Sequence, residues 1–289
     1  MKIGIVGAEN GHTVGFAKVL NVDLSVRGAR VTQVWGETRA LARKAAAAGA
    51  ILQIAKTPGE LIGQVDGAVV DHRHCGLHLP AARPLLEAGI PLFIDKPFCY
   101  RVTEGRRFLA RAAELQVPVC SFSAMHKHES FRAIQREMRR LGRIHTVVTA
   151  GACDIKSKWG GIYFYGIHQV DMALRLLGYQ PRTAQVIRGK GQNHAAMLGF
   201  DNGVVAVMNL IGAGSVQFHV SVIGEKGRVD RPITYDQSPY LRAVQAFTTM
   251  FKTGTSPETT QSMLVPVAVL EALEKSLASG KREKIASVS

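Results

Sequence analysis

The chain has 289 residues, 46% of them apolar, and 36 Lys and Arg against 22 Asp and Glu give a net charge of +14. That is enough apolar material for two packed cores, and no apolar run approaches the ~20 residues that span a bilayer, so a cytoplasmic protein with no membrane partner is expected. The cations are dispersed over amphipathic helical stretches, and the densest cluster, Arg136 to Arg143, lacks interleaved aromatics that would stack on bases; this argues against nucleic acid and for small anionic ligands.

Cys75, Cys99, Cys120 and Cys153 are widely spaced and form no CxxC pair, so reduced thiols are expected. The chain opens on an apolar strand, Lys2 to Val6, followed by Gly7-Ala8-Glu9-Asn10-Gly11-His12 and a helix that runs to Leu20. A strand, a glycine-rich turn and a helix N terminus converge backbone N–H groups on one point and cradle an anion. Gly7, Ala8 and Gly11 supply the backbone, and Asn10, His12 and Thr13 are side-chain donors. Relative to a GxGxxG fingerprint, Glu9 and His12 stand where glycines belong, which predicts a turn of different shape.

A second strand, Val31 to Trp35, ends at Gly36-Glu37-Thr38-Arg39 before an Ala-rich helix to Ala48. An acid there holds an adenosine ribose, an arginine a 2′-phosphate; Thr38 and Arg39 lean towards NADP, with Glu37 still able to serve NAD. The strand Asp66 to Asp71 ends in His72-Arg73-His74-Cys75, with His78 close behind. The spacing matches no standard zinc pattern, so no metal is expected, and His72, Arg73 and His78 are placed beside the nicotinamide or substrate.

The helix Pro80 to Ala88 leads into Leu92-Phe93-Ile94-Asp95-Lys96-Pro97. A buried parallel strand that runs into charged residues delivers them to the ligand-binding edge of the sheet, so Asp95 and Lys96 are site candidates. A helix from Thr103 to Leu115 and a strand from Val117 to Phe122 complete a doubly wound sheet, which predicts a Rossmann domain over 1–121.

From 122 to 289 the pattern predicts an α+β domain with a mostly antiparallel open sheet. Met125-His126-Lys127-His128 precedes a helix from Ser130 to Leu141, and a second helix spans Ile162 to Leu177. Strand-like runs cover Ile144 to Ala150, Thr183 to Arg188, Ala195 to Phe200, Val204 to Ile211, Val216 to Ile223 and Arg228 to Tyr235, with a hairpin signal at Asp201-Asn202-Gly203. Helices Tyr240 to Phe251 and Ser262 to Ser279 close the chain.

Three elements together resemble the Gfo/Idh/MocA oxidoreductases, the superfamily of glucose-fructose oxidoreductase and inositol dehydrogenase. They are the N-terminal Rossmann pattern, Asp95-Lys96-Pro97 where the family has Glu-Lys-Pro, and Gly166-Ile167-His168-Gln169-Val170-Asp171. The resemblance implies an NAD(P)-dependent dehydrogenase or reductase of a sugar, cyclitol or related polyol, assembled as a dimer or tetramer. It makes Lys96 the group that hydrogen-bonds the reacting hydroxyl and His168 the general base or acid, with Asp171 orienting them. Expected substrate contacts are Lys96, His126, His128, Tyr165 and His168; His126-Lys127-His128 stands where family members often have an arginine or tyrosine. Many catalytic members carry an aspartate four residues before the histidine, and here that position is Phe164. With Glu9, this departure keeps open a non-catalytic dinucleotide- or sugar-binding protein.

Overall fold

The computed structural model describes residues 1–214 and 216–288. Through Cys120 the chain alternates strand and helix: β1 (Lys2–Val6), α1 (Gly11–Ala17) extended by a π-helical turn at Lys18–Val22, β2 (Arg30–Trp35), α2 (Arg39–Ala48), β3 (Gln53–Ile54), β4 (Gly67–Val70), α3 (His78–Glu87), β5 (Leu92–Ile94), α4 (Val102–Glu114) and β6 (Val119–Cys120). The sheet runs β3-β2-β1-β4-β5-β6, all parallel, the order of a dinucleotide-binding fold. Both β4 and β5 are buried along their whole length, which is why they read as unbroken apolar runs. The two-residue β3 escaped prediction because it is too short to show a period.

The second half supplies α5 (Glu129–Glu137), β7 (Ile144–Ala152), α6 (Ile162–Leu177), β8 (Pro181–Arg188), β9 (Asn193–Phe200), β10 (Val205–Ile211), β11 (His219–Gly224), β12 (Gly227–Pro232), α7 (Leu241–Thr253), α8 (Thr260–Ser279) and β13 (Glu283–Lys284). Its seven strands run β12-β11-β7-β10-β9-β8-β13. Only β7 and β10 pair in parallel; β9 and β10 form the hairpin signalled by Asp201-Asn202-Gly203.

Two compact units result, Met1–Phe122 with Ser238–Met263, and Ser123–Gln237 with Leu264–Ser289. The first is thus larger than the contiguous 1–121 span read from the sequence. Its additional helix α7 packs Phe247 face to face on Phe93 at 4.9 Å and edge-on to Phe16 at 5.6 Å. Amphipathic patterning marks one apolar face on such a helix but does not say which core will bury it.

In the second unit, Met125, Phe131, Ile134, Val147, Met172, Val220 and Val222 share a buried core. Helix α6 is fixed over the sheet by Gln169, which is fully buried. Its amide donates to the carbonyls of Gly151 and Asn209 at 3.2 Å each and accepts from the Thr149 hydroxyl at 2.9 Å. One side chain therefore ties the helix to β7 and β10 and sets where its neighbour His168 stands. Truncation strands buried polar groups at ~1–3 kcal/mol each. Gln169→Leu should lower the unfolding free energy by about 3 kcal/mol, read as a lower urea midpoint at unchanged slope.

Candidate active site

In the first unit the functional residues meet where β1, β4 and β5 end. The backbone of Gly7 has φ +120°, and a Cβ there would stand 2.4 Å from the Asp71 carbonyl oxygen, so only glycine lets the turn after β1 lie against the end of β4. Asn10 caps α1, accepting from the His12 N–H, and its side-chain amide donates to Asp71 Oδ1 at 2.7 Å and Asp95 Oδ2 at 3.1 Å. His12 Nδ1 lies 3.1 Å from both Asp95 oxygens, and Lys96 Nζ lies 3.3 Å from Oδ2. Asp71, Asp95, Lys96 and Asn10 are all buried.

Two adjacent buried carboxyls cannot both carry charge cheaply. The Thr13 hydroxyl sits 2.6 Å from Asp71 Oδ2 and 3.0 Å from the Gly7 carbonyl oxygen. It has one proton to donate, and the carbonyl can only accept. With that proton on Gly7, the short contact closes through a proton on Asp71. Burial, and after it the charge of Asp95, pushes the Asp71 carboxyl well above its usual range. Burial pushes Asp95 up as well, but His12 and Lys96 outweigh it and hold that carboxyl below the usual range. Hence Asp71 is the acid, Asp95 the carboxylate, and Lys96 keeps an ionised partner.

His12 Nδ1 and the carboxyl groups of Asp71 and Asp95 are, among the described residues, the three potential metal ligands whose atoms lie within 4.8 Å of one another. The neutral Asn10 amide nitrogen donates to both carboxyl groups and the Lys96 ammonium lies against that of Asp95.

At the other edge of the turn, one Glu37 oxygen accepts from the N–H groups of Ala8 and Glu9 at 2.9 and 3.0 Å. Thr38 is spent on capping α2, accepting from the Leu41 N–H, and Arg39 is exposed at the first residue of that helix. Gly11 opens α1 with nothing within 4 Å of where a Cβ would stand, leaving the helix terminus open to close approach. Glu37 thus joins the end of β2 to the turn after β1, a link that the sequence shows only as an acid at the end of a strand.

His78 corrects an expectation. It is fully buried, and its ring nitrogens lie 2.9 Å from the carbonyl oxygens of Pro97 and His72, so both are taken up in bracing two strand ends. Burial, then the neighbouring His78, lowers His72 to about 4, so that ring is neutral and lies 5.9 Å from Trp35. Arg73, in the same segment, is half-buried.

In the second unit, Ser123 caps a short turn over Ala124–Lys127 and lies 2.8 Å from His168 Nδ1. His126 Nδ1 lies 3.1 Å from Asp171 Oδ2, and Arg175 Nε donates to the other oxygen at 2.9 Å. Asp171 therefore orients His126, because its own turn of α6 faces the 124–127 turn. Burial raises this carboxyl, but Arg175 and His126 together bring it down to about 2. Burial keeps the His126 ring neutral against the pull of Asp171. His128 is also corrected: it is buried, its Nδ1 accepts from the Asp236 N–H at 3.3 Å, and it meets the Tyr235 ring edge-on at 5.1 Å, a structural post for that loop. Tyr165 is 40% exposed and lies 5.6 Å from the His168 ring.

Comparison with known proteins agrees with this layout. Residues 1–122 match the model of the oxidoreductase family with an NAD-binding Rossmann fold. The solved structure of GenD2 from gentamicin A biosynthesis in complex with NAD is similar over 99% of this chain and 97% of its own, at TM-score 0.87 and 18% identity. A putative myo-inositol dehydrogenase from Sinorhizobium meliloti is similar over 99% of this chain and 100% of its own, at TM-score 0.82 and 19% identity. Scyllo-inositol dehydrogenase from Lactobacillus casei, with bound NAD(H) and scyllo-inositol, is similar over 99% of this chain and 99% of its own, at TM-score 0.85 and 15% identity. At these identities the likeness is one of fold. No curated protein sequence matches the chain. The family match covers the N-terminal 122 residues, the part of the chain that forms the parallel sheet.

The protonation pattern is testable through stability. A carboxyl whose folded pKa lies above its unfolded value binds protons more tightly when folded, so it weakens the fold as pH rises from ~4 towards neutrality. Asp71→Asn should therefore gain stability relative to the parent as pH goes from 5 to 8 in thermal melts. Asp95→Asn should lose stability at every pH above ~5, because it leaves the buried Lys96 ammonium without its carboxylate.

Proposed function

We propose that the protein is an NAD-dependent dehydrogenase or reductase of secondary hydroxyl and keto groups on a small polyol-like molecule. The observation that carries this reading is the His12–Asp95–Lys96 arrangement at the carboxyl edge of a dinucleotide-binding sheet. The Gly7 turn, the open N terminus at Gly11 and the Glu37 carboxylate fit a pyrophosphate and an adenosine ribose. Bound there, a nicotinamide dinucleotide supplies the hydride acceptor or donor.

The chain's own groups supply the rest. Lys96, paired with the Asp95 carboxylate, hydrogen-bonds the substrate oxygen and stabilises alkoxide charge. His168, with Nδ1 held by Ser123, offers its other ring nitrogen to the hydroxyl proton. In the oxidative direction the electron pair of the carbinol C–H bond leaves as hydride and the O–H proton passes to the imidazole, so the secondary alcohol becomes a ketone. Asp171 acts on His126, and through it on the 124–127 turn that Ser123 caps.

Glu37 favours NAD over NADP, reversing the lean given by Arg39. A carboxylate that already accepts two turn N–H groups offers its remaining acceptor sites to a ribose hydroxyl and repels a 2′-phosphate. A non-catalytic dinucleotide-binding protein is the second reading, favoured by Phe164 in place of an acid.

In NADH and NADPH titrations followed by fluorescence, Glu37→Ala should weaken NADH binding about tenfold and narrow its margin over NADPH. Tighter NADPH than NADH binding by the unmodified chain would overturn the assignment. His168→Asn should leave NADH affinity within about twofold and cut turnover by roughly 10²-fold or more; unchanged turnover would exclude His168 as the base.

A further inference from the structure

The surroundings of His168 in the second unit are aromatic. Phe164 and His168 are one helical turn apart on α6 and share a face. Ring contacts run in series from Trp159 to Phe164 at 6.4 Å, Phe164 to Tyr165 at 4.7 Å, Tyr165 to His168 at 5.6 Å and His168 to Phe218 at 5.4 Å. Phe218 reaches this position because β7 has a glycine, Gly151, beneath it; a Cβ there would lie 2.1 Å from the ring. Tyr165 and Tyr235 remain 40% and 63% exposed. Lys158 lies over the Trp159 face at 4.6 Å, and Asp171 is engaged by His126 and Arg175.

Phe218 is anchored in the buried core, Trp159 and Phe164 are half-buried and Tyr165 is exposed, so the run leads from the core past the proposed base to the surface. A ring bearing a hydroxyl at every carbon is recognised by groups that hydrogen-bond those hydroxyls, and pressing them against apolar rings without partners is unfavourable. One turn before the proposed base, on the same face of α6, stands Phe164. Aromatic walls instead favour a flat or hydrocarbon face, through apolar burial and ring–ring contact.

We propose that the substrate of the His168 site carries an aryl or deoxygenated alicyclic face next to its reacting secondary hydroxyl, in contrast to a fully hydroxylated cyclitol. This rests on the dehydrogenase reading for its chemistry, and on the aromatic run alone for its choice of substrate.

The test uses the full chain with NAD. Initial rates of NADH formation are compared for 1-phenyl-1,2-ethanediol and trans-1,2-cyclohexanediol against myo-inositol and scyllo-inositol, and binding of all four is measured by calorimetry in the presence of NADH. The aryl and alicyclic diols are expected to be preferred over the inositols by at least tenfold in kcat/KM or in affinity. Phe164→Asp should shift that ratio towards the inositols by at least tenfold; Phe164→Gln, uncharged and helix-compatible, should shift it the same way by a smaller factor and guards against loss of folding in the first variant. Preference for the inositols by the unmodified chain, no binding of either diol, or an unchanged ratio in a folded variant overturns the proposal. Diol binding without hydride transfer supports it and instead refutes the dehydrogenase reading.

Discussion

One buried negative charge organises the cofactor-side cluster. Asp95 sits at the end of a strand buried along its whole length, and an isolated carboxylate there would be strongly unfavourable. It is retained because His12, Asn10 and Lys96 converge on its two oxygens. Burial, and after it the charge of Asp95, raises the carboxyl of Asp71, which is joined to Asp95 through the Asn10 amide and meets the Thr13 hydroxyl beside the turn at Gly7. The glycine-rich turn, the strand ends and the ammonium of Lys96 are therefore parts of one network. Its closure depends on a single proton in the right place.

The histidines show how environment divides labour among identical side chains. His78, with carbonyl oxygens at both nitrogens, is a brace. His128 holds a loop, His126 is fixed by a carboxylate, and His168 is held at one nitrogen by a serine hydroxyl. Sequence offers all four as equal candidates because imidazole chemistry is the same in each. Only partners and burial tell the four rings apart.

What could be read in advance was what is local or periodic. The strand ending in Asp95-Lys96-Pro97, the hairpin at Asp201-Asn202-Gly203 and the full span of α6 follow from apolar runs, turn chemistry and a glycine stop at Gly178. The Asn10 bridge to Asp71 and Asp95 was out of reach because its partners lie 61 and 85 residues away. Nothing local tells Asp171 to choose His126 over His168. The parallel pairing of β7 with β10 and the allegiance of α7 to the first unit were hidden likewise, since strand and helix patterns specify a face to bury and not a neighbour.

The direct measurement is carbon-13 NMR of the protein labelled at its aspartate carboxyl carbons, titrated from pH 5 to 8. A proton held within the cluster requires one carboxyl carbon to leave the protonated position at a higher pH than every other aspartate and to disappear in Asp71→Asn, while the Asp95 resonance stays ionised throughout. Every carboxyl at the ionised position from pH 5 upward would contradict the network and, with it, the fixed ammonium at Lys96.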